Sequence, residues 1–477
     1  MKKRFLLAFS AICLFSLTLL STTKEVHIIS TNDMHANIQA FPQLAALTDS
    51  VRSLYPSLLV LSAGDNRTGD PLNDIYEIPA YPMVALMNQV GFHASALGNH
   101  EFDSKAEGLG RVTSLAHFTH LCANIHADPA LGIHTRPYQI FDVDGIKVGI
   151  VGVVQVGMRG IPDTHPDNCK GITFTPVEET VQQYKWLRDQ CDVVILLTHI
   201  GYDDDVKLSK DVPWADLIVG GHSHTQLKGG EMHNGVLITQ TVNRLDCVTH
   251  TTITLDDGKV VDKRAENISV THCTQKNKVV EEMVKFFSNN PEFQRVLCQV
   301  EKPFTTYEEL GCLMSDALRE ETHADVGFIN RGGVRYETHD AGPFTVSDVL
   351  KLDPFGNDVV EMNLTGEELR QMLLSCSNND TYGPPCVSGI TLEYTLDKND
   401  TTKVKNVKIL TLDGKKFDLK KTYKVATHTY SAAICTSPRK DQGRDLNIQT
   451  SQMMMNYLER RGTINYAGAC RVKPAKP

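Results

Sequence analysis

Gly98-Asn99-His100-Glu101-Phe102-Asp103 sets an amide, an imidazole and two carboxylates within six residues, directly after the apolar-rich Phe92-His93-Ala94-Ser95-Ala96-Leu97. Gly98 lets the backbone turn sharply. A strand that ends in a polar turn is where α/β proteins place their chemistry. The pattern recurs along the chain. Asp33 and His35 follow Val26-His27-Ile28-Ile29-Ser30, and Asp65 follows Leu58-Leu59-Val60-Leu61. His199 follows Val193-Val194-Ile195-Leu196-Leu197, and His222 and His224 follow Leu217-Ile218-Val219. With Asn99, five strand ends supply oxygen and imidazole donors and no thiolate. Parallel strands bring their C-terminal ends together in space. Seven such donors suit two divalent cations with one bridging carboxylate, the arrangement used for phosphoryl transfer. Mixed His, Asp and Asn ligation fits Zn, Mn, Fe or Co better than Ca or Mg. Singly, each motif reads as a plain turn. Their joint occurrence at the ends of apolar strands points to a site.

The elements that must position these residues alternate. Apolar periodicity predicts a helix over 41–54, with Leu44, Leu47, Val51 and Leu54 on one face, and another over 82–90. Residues 120–155 read as β-rich, with a hairpin turn at Asp142-Val143-Asp144-Gly145. A helix is expected over 176–189, acidic early and basic late, as the helix dipole favours. Buried strands alternating with helices argue for a layered α/β domain. Val279, Val280, Met283, Phe286 and Phe287 form a helical stripe ending at Asn290-Pro291, which marks a link over 275–300. Beyond it, residues 301–477 mix helices near 310–320, 365–374 and 449–461 with strands at 326–329, 359–362, 390–394 and 423–426.

A chain of 477 residues exceeds one core and suggests two or three domains. The formal net charge of -9 argues against a nucleic-acid polymer as partner, which needs a basic surface. Met1-Lys2-Lys3-Arg4 followed by an apolar run to Leu20 reads as a signal peptide over 1–23, with a retained membrane anchor as the alternative. An exported protein is therefore expected, periplasmic, cell-surface or extracellular. No later segment is apolar for long enough to span a bilayer. Export permits disulfides, and Cys376 and Cys386 flank a polar loop and could pair. No Cys-x-x-Cys occurs, which argues against a thiolate zinc site.

Ser30-Thr31-Asn32-Asp33-Met34-His35, Gly64-Asp65, the stretch from Gly98 to Asp103, Thr198-His199-Ile200-Gly201 and Gly220-Gly221-His222-Ser223-His224-Thr225 resemble the calcineurin-like metallophosphoesterases. The branch they resemble is the secreted 5'-nucleotidase and UDP-sugar hydrolase family, over nearly all of the chain after the leader. The resemblance implies a four-layer αββα sandwich over 24–274, a linking helix, and an α+β substrate-specificity domain over 301–477. It implies one metal on Asp33, His35, Asp65 and His224, and a second on Asp65, Asn99, His199 and His222. It also makes His100 and Asp103 a catalytic dyad, with a hydroxide held on the metals attacking phosphorus and His100 stabilising or protonating the phosphoryl group. Asn124 matches a family position near the phosphate.

The second half resembles the same family through Glu309-Leu310-Gly311-Cys312, Asn330-Arg331-Gly332-Gly333-Val334-Arg335 and Asp353-Pro354-Phe355-Gly356-Asn357. By that resemblance Arg335 holds phosphate or ribose, Phe355 stacks on a base, and Asn330 and Asn357 make polar contacts. Two departures stand out. Phe304-Thr305-Thr306-Tyr307-Glu308 lacks an arginine found there in the family, and a Gly-Gly-Asp-Gly turn is missing after Tyr430. Tyr430 could still face a base, and Arg439, Lys440 or Asp441 could stand in for the absent aspartate. The expected activity is metal-dependent hydrolysis of a small phosphoester, foremost by a 5'-nucleotidase. The altered loop keeps open a 2',3'-cyclic phosphodiesterase, a UDP-sugar hydrolase or a non-nucleotide phosphatase. A non-catalytic exported binding protein is the alternative of another class.

Overall fold

The computed structural model describes residues 23–475, apart from 75, 77, 158, 381–382 and 413–414. The expected leader and its alternative, the anchor, therefore lie almost wholly outside the described residues. Among the described residues no helix is long and apolar enough to cross a membrane.

Two six-stranded sheets lie face to face in the first half of the chain. In one, Lys24–Thr31, Leu59–Ser62, Ala94–Ala96 and Thr119–Leu121 run parallel, extended by antiparallel Cys247–Asp256 and Lys259–Ser269. In the other, Val236–Thr239, Leu217–Val219, Val193–His199 and Ile146–Val154 run parallel between antiparallel edge strands Glu231–His233 and Tyr138–Val143. Strand alternation sets the layers. Val26, Ile28, Leu59, Leu61, Ile150 and Ile195 fill the space between the sheets. Ile29 and Val60 face the helices Phe41–Leu54 and Tyr81–Val90 on one outer side. Val151, Val194 and Leu196 face Val177, Val181 and Leu187 on the other. The result is helix, sheet, sheet, helix, the four layers expected. The turn at Asp144 and Gly145 takes left-handed φ at both positions (52° and 79°), as a tight hairpin requires.

The helix expected over 176–189 is broken into Val177–Gln182 and Leu187–Gln190. Between them the chain keeps turning with i→i−3 bonds, such as Tyr184 N–H to Val181 carbonyl at 3.0 Å. Trp186 packs edge-on against Tyr138 with ring centroids 5.3 Å apart. That tertiary contact sets the path, and periodicity carries no sign of it.

The linking helix is shorter than the 275–300 expected and spans Lys278–Ser288. Asn277 caps it by accepting the Val279 and Val280 N–H groups. Phe287 meets Tyr76 and Tyr81 edge-on, so the helix packs on the first half. Val296–Val300 instead joins a three-stranded sheet with Gly342–Thr345 and Thr463–Ile464. The rest is a five-stranded mixed sheet, in the order Cys386–Ser388, Val326–Ile329, Thr422–His428, Asp358–Thr365, Arg444–Gln449, and a four-stranded sheet beside it. The helices Tyr307–Glu321, Gly366–Asn379 and Thr450–Arg461 complete this mixed α/β half. The eleven described cysteines are free thiols, so the Cys376–Cys386 pairing does not form here.

Asp205, in the first turn of the helix Tyr202–Leu208, is fully buried. Thr198 Oγ1 donates to its Oδ1 at 2.7 Å, while Oδ2 makes no hydrogen bond. Burial pushes its carboxyl up to about 8. Between pH ~4, where the unfolded carboxyl titrates, and about 8, the fold keeps a proton that the unfolded chain releases. Stability should therefore fall as pH rises through that window, by about 1.4 kcal/mol per unit. Asp205→Asn should melt at a higher temperature than the parent at pH 7–8, with the gap closing towards pH 4. A gap that stays constant across a calorimetric pH series would contradict this.

Candidate functional site

The seven expected ligands converge at the C-terminal rim of the two sheets. Three groupings place their donor atoms within 4.8 Å of one another: Asp33, His35 and His224; His35, Asp65 and His100; and Asp65, His199 and His222. The backbone is bent to do this. Asp33, His35, Asp65, His222 and His224 all have left-handed φ, between 44° and 81°. Non-glycine residues avoid that region, and such strain gathers where function needs it. Two glycines admit the close approach. A Cβ on Gly98 would lie 2.2 Å from Asp65 Oδ1, and one on Gly221 would lie 2.8 Å from His199 Nδ1.

The donor atoms are aimed by their neighbours. His35 Nδ1 is 3.0 Å from the Thr68 carbonyl and His199 Nδ1 is 2.7 Å from the Ala63 carbonyl. Each carbonyl takes the ring N–H and leaves the Nε2 lone pair facing the cluster. His35 Nε2 then stands 3.0 Å from His224 Nε2, and His224 Nε2 is 3.3 Å from Asp33 Oδ1. Asn32 Nδ2 and the His222 N–H donate to Asp33 Oδ2, at 2.7 and 3.0 Å. Asn99 Oδ1 is 3.0 Å from His222 Nδ1, and its Nδ2 donates to the Asp163 carbonyl.

His199 Nε2 tests whether these residues fit a cation. It is buried, makes no hydrogen bond, and lies 3.1 Å from Asp65 Oδ2. Electron-rich atoms brought face to face in a buried site call for a positive charge between them. Burial alone would lower the His199 pKa, but the Asp65 carboxylate raises it to about 10, so a proton and a cation compete for one lone pair. The Asp65 carboxyl is itself held well below its usual range: burial opposes this, and His199 and His100 outweigh it. His35 is held well below its ordinary value by burial and by Arg335, which keeps its ring neutral and able to ligate. The donor set is borderline-hard and fits divalent first-row metals.

His100 and Asp103 stand beside this cluster. His100 Nδ1 is 2.7 Å from Asp103 Oδ2. Thr68 Oγ1 donates to the same oxygen at 2.8 Å, and Thr164 Oγ1 donates to Oδ1 at 3.0 Å. Burial would lower the His100 pKa, but the Asp65 and Asp103 carboxylates outweigh it and raise it above the ordinary value. Thr164 comes from a loop with no apolar periodicity and no motif, so the sequence carries no signal for its part in the site.

A cavity of about 570 Å³ opens over the cluster and is lined by both halves of the chain. Arg335, Phe355, Asn330, Asn357 and Tyr430 all face it. Arg335 Nη2 reaches to 3.5 Å from His35 Nε2, and its guanidinium lies 5.4 Å from the Phe355 ring. Phe355 stacks on His100 with centroids 5.8 Å apart. Asn357 Oδ1 accepts from Thr429 Oγ1 and the Tyr430 N–H, which fixes the start of the tyrosine's helix.

Asn124 is the exception among the expected site residues. It is fully buried away from the cavity, and its amide is used on the Val154 backbone and the Thr175 carbonyl. It locks two segments of the sandwich together and has no group left for phosphate. The candidates to replace the missing aspartate also miss the cavity. Arg439 is tied to the Cys435 and Ala432 carbonyls, Lys440 N–H to Glu368, and Asp441 to the Asn363 and Gly443 N–H groups. Asn379 and Asp380, at the end of the helix Gly366–Asn379, line the cavity there instead.

Residues 26–226 match the family described as calcineurin-like phosphoesterase, and residues 290–436 match the 5'-nucleotidase C-terminal domain. Protein UshA of Yersinia enterocolitica is 29% identical, over 86% of this chain and 86% of that protein. A 5'-nucleotidase of Vibrio cholerae is 27% identical, over 93% of this chain and 92% of that protein. The crystal structure of a 5'-nucleotidase precursor from Thermus thermophilus superposes with a TM-score of 0.83 at 24% identity, covering 95% of this chain and 100% of that one. This last likeness establishes the fold.

Proposed function

We propose, for a chain that belongs to the calcineurin-like phosphoesterases and carries a 5'-nucleotidase C-terminal domain, that it hydrolyses nucleoside 5'-monophosphates to nucleoside and phosphate, with two divalent cations in its site. The observation that carries the reading is the convergence of three groups in one cavity: the Asp/His cluster, the His100–Asp103 pair and the Arg335–Phe355 pair. Asp33, His35, Asp65 and His224 would hold one cation, and Asp65, Asn99, His199 and His222 the other. When bound, the cations supply positive charge against the phosphoryl oxygens and make a nucleophile of water at neutral pH.

The chain's own residues supply the rest. Asp103 fixes the His100 ring through Nδ1, which leaves Nε2 to donate a proton to a phosphoryl or leaving-group oxygen. The carboxylates around His100 favour its charged, donating form. Arg335 brings a permanent guanidinium to the rim of the cluster, where a phosphate oxygen needs a donor. Phe355 and Tyr430 offer aromatic surface to a base, and Asn330 and Asn357 offer amides to its polar edge. The assignment to an exported compartment rests on the basic and apolar leader of residues 1–23.

A panel of phosphoesters assayed with Mn, Co and Zn tests the reading. Nucleoside 5'-monophosphates should turn over fastest, and chelation should abolish the rate. A higher kcat/KM on a 2',3'-cyclic nucleotide or a sugar nucleotide would overturn the substrate, and full activity after chelation would overturn the metals.

A further inference from the structure

Glu101 lies in the middle of the Gly98-to-Asp103 stretch and carries neither an expected ligand role nor a dyad role. Its carboxylate is nonetheless 3% exposed and fully engaged. Oε2 accepts the N–H groups of Asp65 and Gly98, at 2.9 and 2.6 Å. Oε1 accepts the N–H of Asn66 at 2.8 Å. These three donors belong to the two loops that present Asp65 and Asn99.

The loops need such an acceptor. Gly64 and Asp65 leave the sheet with φ of 92° and 52°, so the strand ladder no longer takes the N–H groups that follow. Buried N–H groups without partners are costly. A carboxylate accepting several of them is a strong, charge-assisted solution. Glutamine would leave one oxygen where three N–H groups converge on two.

We propose that Glu101 is a positioning residue of the metal centre, clamping the Asp65 and Gly98 backbones together so that the Asp65 and Asn99 side chains keep the spacing a cation requires. The inference rests on the reading of Asp65 and Asn99 as ligands given above. Glu101 touches neither substrate nor the ligating atoms and acts through the backbone alone.

Calorimetric titration of the metal-free chain with Mn2+ tests this in the parent, Glu101→Gln, Glu101→Asp and the control Glu107→Gln. Glu107 sits on the exposed face of the helix Lys105–Leu115. Glutamine keeps the size of glutamate but turns one acceptor into a donor that meets backbone N–H groups. Glu101→Gln should bind at least one Mn2+ about 10–100-fold more weakly, the range for supporting groups around metal sites. The Mn2+ concentration for half-maximal hydrolysis of a phosphomonoester should rise by the same factor. Glu101→Asp should recover part of the loss, and Glu107→Gln should bind like the parent. Circular dichroism of the metal-free proteins shows whether each variant is folded. If Glu101→Gln is not, Glu101→Asp decides, with weaker binding expected. Parent-like affinity in a folded Glu101 variant would overturn the proposal. A parent chain that binds no Mn2+ would overturn the ligand assignment instead.

Discussion

Asp65→Asn is expected to lower turnover by about 10³-fold or more and to reduce bound metal from the two equivalents proposed to at most one. Asp65 belongs to two of the three donor groupings, so its charge is the one the two cations would share. Charge stabilisation by a metal is worth several kcal/mol in the transition state. Each ~1.4 kcal/mol is a factor of ten in rate. Asparagine is the right replacement because it tolerates the left-handed φ of 52° at this position, which alanine does not. Its amide oxygen can also still accept the His100 N–H, which Asp65 Oδ1 holds at 2.8 Å. The loss should therefore report the missing charge and not a collapsed loop. Metal content by mass spectrometry and a melting curve decide it. A folded variant with two metals and a rate within tenfold of the parent would remove Asp65 from the bridging role.

The second large effect is at His100. His100→Ala should reduce kcat by the ~10²–10⁴-fold typical of a positioned acid–base group. The substrate KM should move far less, because Arg335 and the aromatic rings remain. Proton donation matters most when the leaving oxygen is basic. The loss should be larger on a nucleoside 5'-phosphate than on a 4-nitrophenyl phosphate. Equal losses on both would leave His100 an electrostatic role and take away the acid role. Asp103→Asn should be milder, since an amide oxygen in place of Oδ2 still accepts from His100 and Thr68, and the Thr164 hydroxyl, which donates to Oδ1, can turn to accept from the amide nitrogen.

The two halves of the site were unequally legible. Ligands to a buried cation come at the ends of parallel strands, and that placement is written locally: an apolar run, a glycine or turn, then Asp, Asn or His. The proposed ligands Asp33, His35, Asp65, Asn99, His199, His222 and His224 are therefore readable one strand at a time. The sheets bring them together because every one of those strands ends at the same rim. The substrate side is built from residues whose neighbours are remote in sequence. Asn124 looked available by its place in a motif, yet the strand Ile146–Val154 and Thr175 use up its amide. Asn379 and Asp380 fall in the polar stretch between Cys376 and Cys386, past the helix read over 365–374, yet they line the cavity with Tyr430.

The stretch from Gly98 to Asp103 shows the division most clearly. By itself the sequence determined that a polar turn follows an apolar strand, that it carries an amide, an imidazole and two carboxylates, and that four other strands end in kind. Those are consequences of strand alternation and glycine placement, which act over a few residues. Only the tertiary structure decided what each side chain does there. Asn99 turns to His222, His100 to Asp103, and Asp103 to Thr68 and Thr164. Glu101 turns inward to the backbone of Gly98 and of the Asp65 loop. A side chain's role depends on which donors and acceptors face it: Gly98 and Asp103 lie within the stretch itself, but His222, Thr68, Thr164 and the Asp65 loop lie 35 to 123 residues away, which no local pattern encodes.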